Sequence, residues 1–205
     1  MVENQINDSV FLRRVMPPVW RKRLEAWERD GELRFVNGGG LPVMKALVEY
    51  HSDDDNARLA FGLPADVWCL VHFVVYDHDG SVDTVPGEQS HLLGDACRLA
   101  GMGERSHRLR RKDQEHYIPI DALKDIVNAR VTNPADRECL LAGIDRHYRL
   151  GIDRHFSLLP ALGDSLFFKN EFTGPFASSW SDTWFERDDA WTEMTQLAEQ
   201  IASTI

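Results

Sequence analysis

Hydrophobic residues recur at helical spacing along much of the chain. Trp20, Leu24 and Trp27 share one face of a predicted helix that begins after a Pro-Pro pair and stops at Gly31. The spacing is that of an amphipathic helix with one buried stripe. Comparable patterns predict further helices over residues 41–51, 88–100 and 121–129, from 133 onward, and from about 188 to the end.

A nearly continuous apolar run over residues 67–76 predicts a central strand that is covered on both faces. The Asp79-Gly80 turn and the run that ends at Val85 predict a second strand, antiparallel to the first. Helices and hairpins do not alternate here as regular βαβ units. The sequence therefore predicts one α+β domain, residues 1–205, with a small, mostly antiparallel sheet packed by several helices. The sequence does not decide whether about the first ten residues are ordered or disordered.

Composition is ordinary for a soluble globular protein, with 43% hydrophobic and 27% charged residues in 205. The N-terminus lacks the basic start and apolar run of a secretory signal, and no stretch is as long as a membrane span. Cys69, Cys97 and Cys139 are widely separated, which favours reduced thiols over disulfides or a zinc site. We therefore expect a cytoplasmic protein with no cofactor and no bound metal.

Positive charge is concentrated in one segment, residues 105–112, which we call the basic island. It holds Arg105, Arg108, Arg110, Arg111 and Lys112, whereas the whole chain carries −10. The other 197 residues therefore carry −15. This body should repel nucleic acid and anionic membranes, so we expect neither as a general partner. The island itself is a candidate for anion binding or ion-pair contact, with a solvated loop or a protected strand edge as alternatives.

Five titratable residues are weak catalytic candidates. His72, His78 and Asp79 lie on the predicted central strand and its turn, where imidazole and carboxylate groups could support acid and base steps. His147 and His155 occupy equivalent positions in the tandem repeat GIDRHYRL–GIDRHFSL at residues 143–158. The alternatives are a hydrogen-bonded core histidine, a polar turn and charge pairs on a helix surface.

A segment rich in aromatic residues precedes the last predicted helix. Phe176, Trp180, Trp184 and Phe185 lie among serine and acidic residues. Exposed tryptophans in such segments commonly anchor protein interfaces, whereas buried ones cover a core. The sequence leaves both roles open.

These features favour a non-catalytic, acidic binding or regulatory protein with a basic protein partner. Bacterial immunity proteins that neutralise basic toxins have this profile, because an acidic surface steers and orients a cationic enzyme. The stretch LRFVNGGGLP at residues 33–42 resembles the Asn-Gly-Gly segment of one superfamily of such immunity proteins. Two alternatives stay open: a small hydrolase or metal-dependent enzyme built around His72 or His147, and an anion or nucleotide sensor that uses the basic island. A homo-oligomer is compatible with each.

Overall fold

Helices dominate the part of the protein that the structure describes. The structure is a computed structural model and describes residues 1–81, 84–147, 172 and 177–205. In chain order its α-helices are α1 (Gln5–Val15), α2 (Pro18–Asp30), α3 (Leu41–His51), α4 (Asp54–Phe61), α5 (Ala65–Val71), α6 (Glu88–Leu99), α7 (Ile120–Arg130), α8 (Pro134–His147), α9 (Asp182–Arg187) and α10 (Ala190–Ala202).

The predicted α+β architecture is wrong. Within the described ranges the sheet has two strands, β1 (Val74–Tyr76) and β2 (Ser106–Arg108). They pair in parallel, with Val74 opposite Ser106, and not as an antiparallel hairpin. The first half of the predicted central strand, residues 67–71, is instead part of helix α5, and only Val74–Tyr76 form a strand.

The error has a physical origin in the apolar run itself. A short apolar run cannot be identified as a buried strand or a helix from periodicity alone. Pro64 occupies the N-cap of α5 with extended backbone, and the helix buries Trp68 while Leu70 stays exposed. Strands joined in parallel need a crossover connection, and α6 supplies it between β1 and β2. The partner of β1 therefore comes from far along the chain.

Two hydrophobic clusters form the core, and β1 lies between them. Val75 belongs to the larger cluster, whereas Val74 and Tyr76 belong to the smaller one, as expected from the alternation of side chains along a strand. The larger cluster is built mainly from α1, α7 and α10. The smaller cluster is built from α3, α5, α6 and β1.

The first residues of the chain, for which the sequence left disorder open, pack against the sheet. Val2 is buried; its N–H donates to the Val36 carbonyl at 3.0 Å, and its own carbonyl accepts from Gly38 at 2.7 Å. A Cβ atom at Gly38 would lie 2.3 Å from Cγ of Met44 and 2.9 Å from the Val2 carbonyl oxygen. Glycine is required there because the backbone of the N-terminal segment approaches so closely.

Candidate functional site

Arg111, the most buried cation of the basic island, is held in an internal ion pair. Its Nη1 donates to Oδ2 of Asp188 at 2.7 Å and to the carbonyl oxygen of His116 at 3.0 Å. Its guanidinium lies 4.7 Å from the ring centroid of Tyr117. Arg111 and Asp188 are 8% and 2% exposed, so neither charge is presented to solvent.

Glu193 of α10 brings a second negative charge to the inner side of the island. Its Oε1 accepts from the backbone N–H of Arg110 at 2.8 Å and from Nε2 of His107 at 3.0 Å. Its Oε2 accepts from the hydroxyl of Tyr117. Burial, and next the charge of Glu193, raise the pKa of Tyr117 well above its ordinary value. Glu193 thus anchors the backbone of Arg110 and the side chain of His107 to α10.

The remaining cations of the island have separate neighbours. Arg105 donates to the carbonyl oxygen of Leu70, and the guanidinium of Arg110 contacts Gln196. Arg108 lies over the ring of Tyr76 at 5.8 Å from its centroid, and Lys112 is half-buried. The structure therefore distributes these side chains over several partners, and does not bring them together around one outward-facing anion site.

The predicted catalytic residues also make local contacts. His72 stacks on Trp68 with centroids 4.3 Å apart, and its Nδ1 is 2.8 Å from the Trp68 carbonyl oxygen. Burial lowers the pKa of His72, which favours the neutral imidazole. Nδ1 of His78 accepts from Gly80 at 3.1 Å, while Asp79 is exposed with φ of 56°. His72 and His78 therefore flank β1 at its two ends.

The second predicted histidine pair is only partly covered by the structure. His147 is the last residue of α8, and its side chain is not described. His155 lies outside the described residues. The assignment of these two histidines as weak catalytic candidates therefore stays a prediction.

A cluster of carboxylates at the end of β1 went unnoticed in the sequence. Burial raises the pKa of Asp77 well above its ordinary value, and the charges of Glu3, Asp113, Asp8 and Glu115 raise it further, in that order. The residues come from three distant stretches of the chain, so no local motif reveals them. Across the described ranges, no three His, Cys, Asp or Glu side chains form a group that could hold a metal ion.

The aromatic segment is largely core in the part that the structure describes. Trp180 is 4% exposed, Phe185 is fully buried, and both belong to the larger cluster. Trp184 is partly buried against the same cluster. Phe176 lies outside the described residues. These contacts favour the core role for Trp180 and Phe185 over the interface role.

Large apolar side chains are exposed instead on α4 and the turn that follows it. Leu59 is 81% exposed, Phe61 52% and Leu63 42%. Exposed carboxylates surround them in sequence, at Asp53–Asp55 and Asp66. Leu59 lies two residues after buried Ala57, on the other side of α4, whereas Phe61 lies four residues after Ala57, shares its face and contacts His51.

A groove of about 520 Å³ lies between the loop after α2, the end of α5 and the end of α10. Its walls include Val36, Leu70, Val71 and Ile205, with Arg34 among the few charged groups. The volume is in the range of small-molecule sites. The candidate catalytic residue His72 lies at this groove, and neither His78 nor Asp79 lines it.

Comparisons with known proteins leave the family of this chain open. No family model matches it, and neither the curated proteins nor the solved structures include a match. None of the helices in the described ranges has the length and hydrophobicity that crossing a membrane requires.

Proposed function

We propose that this protein is a non-catalytic, acidic binding protein that captures a protein partner through the partner's basic surface. The observation that carries the proposal is the internal pairing at the basic island. Arg111 is held by Asp188, and Glu193 lies against the segment around Arg110, so the island does not present its cations together to an anion. The net charge of −10 is therefore the dominant electrostatic feature of the chain.

An acidic body of this kind favours fast association with a cationic partner. Complementary charge accelerates encounter and orients the two proteins, and the effect weakens as salt screens it. The role is that of an immunity-type protein that neutralises a basic toxin or enzyme. The three unpaired cysteines support a reducing compartment such as the cytoplasm.

Affinity capture from the native cell lysate tests this function directly. The full chain is immobilised, and capture is carried out at about 50 mM and at about 500 mM salt, conditions that bracket strong and weak screening. We expect one stoichiometric protein of basic isoelectric point at low salt and its loss at high salt. An unrelated protein of similar net charge, immobilised in parallel, identifies proteins that bind any acidic surface.

Two results would overturn the proposal. One is recovery of no protein beyond those that also bind the acidic control. The other is a small ligand, and no protein partner, bound to the protein purified from its native cell.

A further inference from the structure

We propose that the groove beside His72 binds a small, neutral, apolar molecule that carries a hydrogen-bond donor, such as a phenol or an alcohol. This is the groove of about 520 Å³ between the loop after α2, the end of α5 and the end of α10. The inference goes beyond the proposed function and does not depend on it, because the groove and the acidic surface would recognise different molecules.

The walls of the groove bring together apolar side chains from three parts of the chain. Val36 lies in the loop after α2, Leu70 and Val71 end α5, and Ile201 belongs to α10. Leu70 and Val71 are 55% and 67% exposed, so both are accessible to a ligand. An apolar molecule in the groove would remove this surface from water, which is the main source of affinity in sites of this kind.

His72 presents one open hydrogen-bond acceptor at this groove. Its Nδ1 lies 2.8 Å from the carbonyl oxygen of Trp68, which can only accept, so Nδ1 carries the proton. Burial lowers the pKa of His72, so the ring is neutral at pH 7 and Nε2 keeps its lone pair. Within the described part of the chain nothing donates to Nε2, and this atom is not sealed from solvent. An O–H or N–H group of a ligand can therefore donate to it.

The position of this acceptor is fixed before any ligand arrives. The imidazole stacks on the indole of Trp68 with ring centroids 4.3 Å apart, and Trp68 itself is buried. The hydrogen bond from Nδ1 to the Trp68 carbonyl holds the ring against rotation. A preformed group binds its ligand without the cost of becoming ordered.

Charge at the groove favours a neutral ligand. Glu32 and Arg34 line it with opposite charges that cancel, and the net charge of −10 on the chain would repel an anion. The hydroxyl of Thr204, the other uncharged polar side chain in the walls, already donates to the carbonyl oxygen of Ile201 at 2.7 Å. His72 is therefore the wall residue that selects for a donor on the ligand.

A pair of matched fluorescent ligands tests the site in the unaltered full chain. Naphthol carries an O–H donor, whereas methoxynaphthalene has the same ring system without the donor. Their binding is followed by fluorescence anisotropy, with excitation at a wavelength that tryptophan does not absorb. We expect saturable one-to-one binding of both, with naphthol bound at least about fivefold more tightly because of the hydrogen bond to His72.

Two variants place the binding in the groove. His72→Phe keeps a ring against Trp68 but removes the acceptor, so naphthol and methoxynaphthalene should then bind with about equal affinity. Val71→Ser removes apolar wall surface and should weaken both ligands at least about threefold. The matched control is Val19→Ser, at a valine that is 60% exposed on α2 and does not line the groove. The comparison of the two ligands in the unaltered protein needs no variant, so it stands if His72→Phe folds poorly.

Three results would overturn the inference. The first is no saturable binding of naphthol, and the second is equal binding of naphthol and methoxynaphthalene to the unaltered protein. The third is tighter binding of naphthoate that Arg34→Gln weakens, which would make the groove an anion site. The lysate capture involves none of these ligands, so failure of the groove and failure of the proposed function are separate outcomes.

Discussion

Arg111 and Arg29 carry the same charge, yet their surroundings give them different roles. The side chain of Arg111 is 10% exposed and faces Asp188, whose side chain is 2% exposed. Arg29 pairs with Asp30 at the surface, where the two side chains are 71% and 53% exposed. An exposed pair contributes little to stability because water and salt screen it. A buried pair that loses one partner leaves an uncompensated charge in the core.

Removing the partner of Arg111 should therefore be costly. We expect Asp188→Ala to lower the free energy of unfolding by about 3–5 kcal/mol, and the paired change Arg111→Met with Asp188→Leu to recover most of it. Urea denaturation followed by circular dichroism measures both. Arg29→Ala is the surface control, with an expected change of less than about 1 kcal/mol. An equal effect of Asp188→Ala and Arg29→Ala would contradict the buried pair.

Asp77 should make the folded protein less stable as the pH rises, which is the opposite of the usual effect of an aspartate. Its folded-state pKa is raised well above the ordinary 3.8, so the folded protein binds a proton that the unfolded chain has lost. Its contribution is complete below pH 3.8 and is lost as the pH rises through the folded-state pKa. We expect Asp77→Asn to flatten the decline in the free energy of unfolding that begins above pH 3.8, as measured by urea titrations over a series of pH values. Unchanged pH dependence in Asp77→Asn would refute the role of this carboxyl.

At the scale of elements, strongly periodic segments were predicted well and the apolar run was not. The predicted helix over 41–51 is α3, Leu41–His51, and that over 88–100 is α6, Glu88–Leu99. Each of these two helices has a start or stop signal in the neighbouring sequence. Its buried residues recur with the 3.6-residue period of a helix. The run over 67–76 has no such period, so only packing decided that its first half became part of α5 and its end became β1.

The N-cap of α4 provides a test at this scale. Asp53 accepts from the N–H of Asn56, whereas Asp55 lies within the first turn of the helix and is not the cap. Asp53→Ala should lower the free energy of unfolding by about 1 kcal/mol, and Asp55→Ala by clearly less. Thermal denaturation at one pH and salt concentration compares the two. Equal losses would mean that the shared negative charge, and not the cap, stabilises α4.

The whole molecule is organised by two cores and by the distribution of charge around them. β1 contributes Val75 to one core and Val74 to the other, so the small sheet joins the two halves of the described structure. The basic island begins at this sheet, and α10 supplies Glu193 to it. The buried pair of Arg111 and Asp188 removes one charge of each sign, so it leaves the net charge of −10 unchanged. A basic partner would first meet the acidic surface.

The sequence by itself determined the properties that depend on neighbouring residues or on composition. These are the periodic helices, the net charge of −10 and the existence of the basic island. Tertiary structure decided what distant residues do to one another. It paired Arg111 with Asp188 across 77 positions, gathered carboxylates around Asp77, and turned the large side chains of α4 outward. Such contacts arise from packing between elements, and no local pattern along the chain records them.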